Sequence, residues 1–166
     1  RRLAHYSLSP AMKAAFEQIY GPPYLARLLF AEAGEKPEED LFLRLEYDGA
    51  IAANGATLSQ PQQDFAVLSG TRKSTELMEL FLRSEHAPES NFEDTLTIAL
   101  NAWSVGHMTL GADGIKELPE KAAIVKHQKE QLALAGVEAA ILERESKMVI
   151  RYRALSDKEV RSSIRD

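Results

Sequence analysis

The sequence predicts an α+β fold with largely antiparallel sheets. Three observations predict it. Short apolar segments with strand-like alternation are joined by hairpin-type turns, of which Asp48-Gly49 is the strongest. Segments with apolar residues at helical spacing occur in pairs, not one after each strand as a parallel sheet requires. A chain of 166 residues, 45% apolar and 27% charged, is long enough for one domain with a real core.

Residues 2–20 place Leu3, Ala4, Leu8, Met12, Ala15, Phe16 and Ile19 near a 3.6-residue period, so they predict helix. Ser9-Pro10 reads as an N-cap and first helical residue, which predicts a kink or break over Ser7–Pro10. Gly21-Pro22-Pro23 ends the helix. Tyr24–Ala31 is an apolar run broken only by Arg27 and predicts a buried strand. Gly34–Asp40 is a charged turn. Leu41–Tyr47 then alternates, with Leu41, Leu43, Leu45 and Tyr47 on one face and Phe42, Arg44 and Glu46 on the other. After Asp48-Gly49 the chain is weakly specified, with Asn54-Gly55 as a second turn. Asp64–Ser69 predicts a short buried strand.

Thr71–Ser84 is an amphipathic helix presenting Leu77, Met78, Phe81 and Leu82. Ser90 with Glu93 reads as a capping box that opens a second helix, Phe92–Val105, ended by Gly106. His107–Lys116 reads as loop. Pro119, followed by Ala122, Ala123, Val125, Leu132 and Leu134, predicts a helix that Gly136 ends. Val137–Glu143 and Met148–Arg153 are two strands joined by Glu145-Ser146-Lys147. Ser156 with Glu159 is a further capping box, opening a last helix to Ile164.

The formal net charge of −5 argues against a strongly basic nucleic-acid surface. Without cysteine there is no disulfide, thiolate nucleophile or cysteine-ligated metal. No apolar run has transmembrane length and no signal peptide is visible, so a cytoplasmic protein without membrane partner is the expectation.

Few residues invite a site. The histidines His5, His86, His107 and His127 have no metal-ligand spacing among themselves; His107, Asp113 and His127 meet only if the intervening segment folds back. Otherwise they are surface or loop histidines. Glu35, Glu38, Glu39 and Asp40, and Glu138, Glu143 and Glu145, read as solvated carboxylates before acid–base pairs. Thr71-Arg72-Lys73 stands at a helix start but lacks the glycine spacing of a phosphate loop. Ser69 and Ser104 lie in no nucleophile-elbow motif. Trp103 reads as core packing, with an interface anchor as the alternative. Residues 116–130 read either as an arm that docks on a neighbour or as a solvated surface segment.

The stretch from Pro23 to His107 resembles the second half of α-type subunits of the 20S proteasome family, of the actinobacterial kind. The residues are Pro23-Tyr24 with the strand ending Phe30-Ala31-Glu32, then Leu41-Phe42-Leu43-Arg44-Leu45-Glu46-Tyr47-Asp48-Gly49, then Phe65-Ala66-Val67-Leu68-Ser69-Gly70 leading into a helix pair. Toward the C-terminus, residues 136–143, 150–155 and 156–164 are similar to that family's last two strands and closing helix. Residues 107–135 look like an insertion. The resemblance implies a four-layer αββα sandwich of the N-terminal-nucleophile hydrolase type over a single domain 1–166, incomplete at the N-terminus, and one continuous helix over residues 2–20. It implies a non-catalytic subunit. The chain begins with Arg1, not with a threonine nucleophile, and Gly106–Gly114 replaces the Ser/Asp-rich segment with Gly pairs of catalytic members. The implied partners are copies of itself in a ring, a proteasome β-type subunit and an ATPase activator. No catalytic, cofactor-binding or metal residues are implied, and no cofactor. The alternatives are an N-terminal-nucleophile amidohydrolase whose nucleophile precedes Arg1, and an unrelated α+β scaffold or binding domain.

Overall fold

The computed structural model describes residues 1–18, 20–22, 24–53, 64–110, 117–134, 136–146 and 151–163. It divides into two compact units, residues 1–68 and 69–166, and has the mixed α+β character expected.

In the first unit the N-terminal segment stays helical through Pro10. Proline has no N–H to give the carbonyl four residues back. The chain widens there into a π-type stretch, Ala4–Leu8, in which the Ser9 N–H reaches the Ala4 carbonyl, and then runs on as α1, Ser9–Glu17. Ser9 is therefore not an N-cap. Leu8 and Ser9 are both helical, and the Ser9 hydroxyl instead donates to the Gly49 carbonyl at 2.6 Å. The irregularity expected over Ser7–Pro10 lies mostly before it, over Ala4–Leu8, and is a bulge and not a break or a helix start. α1 ends at Gln18, whose backbone is extended.

Three strands follow: β1 (Leu28–Glu32), β2 (Leu41–Leu45) and β3 (Ile51–Ala53). The sheet order is β1-β2-β3, antiparallel throughout, with Leu28 opposite Leu45, Phe30 opposite Leu43, and Leu45 also opposite Ile51. The predicted alternation holds in β2, where Leu43 and Leu45 are buried. β1 starts four residues later than the sequence suggests. β2 ends at Leu45, so nothing stands opposite Tyr24–Arg27; Tyr24 and Leu25 are exposed, and Arg27 instead forms a two-pronged ion pair with Glu46. The Asp48-Gly49 turn joins β2 to β3. Glu46 donates its N–H to the Ala50 carbonyl at 2.9 Å, Gly49 donates to Glu46 at 3.0 Å, and Gly49 has φ +84°. Asn54-Gly55 lies outside the described residues. Residues 64–69, expected as a strand, form none, although Val67 is buried.

The second unit is helical with one hairpin. α2 (Arg72–Glu85) packs against α3 (Phe92–Thr109), which also contacts α4 (Lys121–Leu134) and α5 (Asp157–Ser163). α2 buries the four apolar residues its sequence pattern predicted, and Thr71 Oγ1 caps it by accepting from the Ser74 N–H at 3.1 Å. The cap of α3 is Asn91, not Ser90: its side-chain oxygen accepts from the Asp94 N–H at 2.9 Å. Nor does α3 stop at Gly106. That glycine lies inside the helix because a Cβ there would overlap the Met78 sulfur of α2, and the helix carries His107 through to Thr109. Here a glycine allows close helix approach, not termination.

β4 (Ala140–Leu142) and β5 (Tyr152–Ala154) form the predicted antiparallel hairpin, shorter than expected, with Ile141 opposite Arg153. Part of its turn, residues 147–150, lies outside the described residues. The last capping box forms as read: Glu159 Oε2 accepts from the Ser156 N–H at 2.8 Å, and Ser156 Oγ accepts from the Glu159 N–H at 3.4 Å.

Candidate functional site

The second unit brings together one pair of residues that the sequence singled out. His107 sits in the last turn of α3 and His127 in the middle of α4. Nδ1 of His107 and Nε2 of His127 are 2.9 Å apart. The ring centroids are 5.0 Å apart with planes 27° from parallel. Because the centroids are separated by nearly two ring radii more than the nitrogens, the imidazoles meet edge to edge, nitrogen to nitrogen. Trp103, one turn before His107 on the same helix face, lies alongside them. Its ring is 5.2 Å from His107 and 6.4 Å from His127, tilted by 20° and 25°. The third residue of the expected group, Asp113, lies outside the described residues.

Trp103 also borders a cavity of about 500 Å³. α3 contributes Phe92, Leu96 and Trp103, α4 contributes Leu132, and Val137 and Leu155 close it from the hairpin side. Trp103 is 41% exposed, so it is a surface wall and not the core residue its helix pattern suggested. Its ring stacks along the histidines and also borders the groove, so one indole touches both features.

The other candidates are structurally committed. The Ser69 hydroxyl donates to Ser74 Oγ at 2.9 Å, and Ser104 is fully buried, so neither is presented to a substrate. Arg72 and Lys73 lie 3.4 Å and 3.9 Å from Glu76, turned along the helix and away from its N-terminus. In the acidic turn, Asp40 accepts from the Gly34 N–H and Glu39 from the Glu35 N–H, which closes the short 3₁₀ turn Pro37–Glu39. Glu143 and Glu159 share Arg153, at 2.9 Å and 2.8 Å. The Glu159 carboxyl is lowered to about 2, first by the Ser156 N–H, then by the Ser156 hydroxyl and Arg153; Arg153 is raised in turn, first by its bond to Glu143. Residues 117–130 are neither a free arm nor a wholly solvated segment. α4 buries Ile124 and Gln128 and packs on α3.

Chemically, the site offers two imidazoles, an aromatic face and an apolar groove. Among the described residues no group of three or more histidine, cysteine or carboxylate side chains converges, and no helix is long and apolar enough to cross a membrane. The groove had no sequence signal, since its walls come from three separate segments. The Trp103–His107 stack did, in their i, i+4 spacing. Comparisons with protein-family models, with curated proteins and with solved structures found no match.

Proposed function

We propose that the chain is a non-catalytic subunit of the α-type proteasome kind, which forms a ring and controls access to a proteolytic β-type ring. The observation that carries the reading is the order and direction of elements. A helix precedes an antiparallel three-stranded sheet turned at Asp48-Gly49, then come an antiparallel helix pair, a further helix, an antiparallel hairpin and a short closing helix. Two departures stand against the order the resemblance implies for the second half of a four-layer αββα sandwich: the further helix falls in the stretch that looks like an insertion, and the third strand is Ile51–Ala53 and not residues 64–69.

A second reading, a binding domain of unrelated α+β fold, is favoured by the apolar groove beside Trp103, because such grooves commonly seat a ligand. One experiment separates the two. Native mass spectrometry of the chain, alone and mixed with proteasome β-type subunits, yields closed multi-copy rings that stack on the β-type subunits under the first reading. A monomer that stays a monomer in the mixture eliminates it and leaves the binding domain.

A further inference from the structure

His107 and His127 come from different helices and present ring nitrogens to each other across 2.9 Å. We propose that this pair is a two-histidine site for a borderline transition-metal ion, Cu²⁺ or Zn²⁺, which clips α3 to α4. Two imidazoles on one tetrahedral zinc, each about 2.0–2.1 Å from the ion, stand about 3.3 Å apart. The pair therefore needs to open by a few tenths of an ångström. The exposed His107 side chain, in the last turn of its helix and stacked along Trp103 and His127, can rotate to do so.

Imidazole nitrogen selects copper, zinc and nickel over magnesium and calcium. In the ion-free pair one facing nitrogen carries the shared proton. On metal binding that proton moves to the other nitrogen of the same ring, so both rings stay neutral and no net proton is lost. Among the described residues no third protein ligand joins them. Water completes the shell, and the affinity is that of a two-ligand site, modest and readily exchanged. Trp103 covers one side of the pair and limits approach to the other.

The chain has one tryptophan, and it is this one. Bound Cu²⁺ quenches it at short range, so emission reports this site specifically. Titrating the intact chain with copper sulfate gives saturable quenching that excess Zn²⁺ reverses. His107→Gln and His127→Gln each raise the half-saturating copper concentration at least tenfold, with circular dichroism checking that the helices persist. A variant-free measurement stands beside this. Nitrogen NMR of the wild-type imidazoles under Zn²⁺ titration shifts His107 Nδ1 and His127 Nε2. Quenching that never saturates, or that saturates equally in both variants, overturns the proposal, as do zinc-induced shifts confined to His5 and His86.

Discussion

Among the described residues two sheets form, built from the same antiparallel pairing and differing in what covers them. In the first unit β2 is flanked on both edges, and its alternation puts Leu43 and Leu45 at 2% and 0% exposure. In the second unit, among the described residues, β4 and β5 pair only with each other and neither buries a residue fully; Leu142 is 37% exposed and Tyr152 59%. Pairing fixes strand direction and register. Burial comes from a third strand and from whatever packs on the face, and an isolated two-stranded ribbon gains little from pairing alone.

Four measurements bear on that contrast. Leu45→Ala has the largest expected effect, about 3 kcal/mol of lost stability in urea denaturation, because a fully buried leucine leaves a cavity. A loss of no more than about 0.5 kcal/mol, the range of an ordinary surface change, erases the contrast. Gly49→Ala comes next, at about 2 kcal/mol, since it forces a side chain into a left-handed conformation. The added Cβ also meets the Ser9 carbonyl oxygen at 2.6 Å, so α1 and the β2–β3 turn loosen together. Hydrogen exchange in both segments reads this out.

Leu142→Ala is expected to cost no more than about 0.5 kcal/mol, as an exposed strand position should. A cost close to that of Leu45→Ala, appearing only on assembly with β-type subunits, sharpens the comparison differently: the hairpin face is then covered by a neighbour. The smallest effect is local and acid-dependent. The folded-state value of Glu159 lies at about 2, below its ordinary 4.5. Its stabilisation of α5 is present above pH 4.5 and is lost as pH falls toward 2. The protection factor of the Val160 amide, which bonds the Ser156 carbonyl at 3.0 Å, is expected to fall over that window relative to the intrinsic exchange rate, and not to do so in Glu159→Gln.

Legibility from sequence followed locality. The β2 faces, the Asp48-Gly49 turn, the apolar stripe of α2 and the Ser156/Glu159 box were readable because each is decided by residues within about two turns of one another. Errors arose where a distant contact decided the outcome. Gly106 reads as a helix stop until Met78 is known to lie against it. Ser9 reads as a cap until the Gly49 carbonyl claims its hydroxyl. Tyr24 reads as buried until β2 is seen to end too early to cover it. The candidate site was half legible. His107 and His127 were named together, but their meeting depends on α4 folding back along α3, and the groove beside them belongs to no single segment.

The buried hydroxyl junction at the α2–α3 contact has a mechanical consequence. Ser74 Oγ donates to the Gly106 carbonyl at 2.7 Å and accepts from Ser69 at 2.9 Å; Thr109 Oγ1 lies 2.9 Å away and itself donates to the Val105 carbonyl at 2.7 Å. Leucine and methionine contacts tolerate a sliding helix, because one apolar neighbour replaces another. Directional bonds do not. A shift of one turn strands several dry oxygens at once, each at a cost of about 1–3 kcal/mol. The two helices are keyed like a shaft to its hub, and force applied to α2 is carried to α3 without slip.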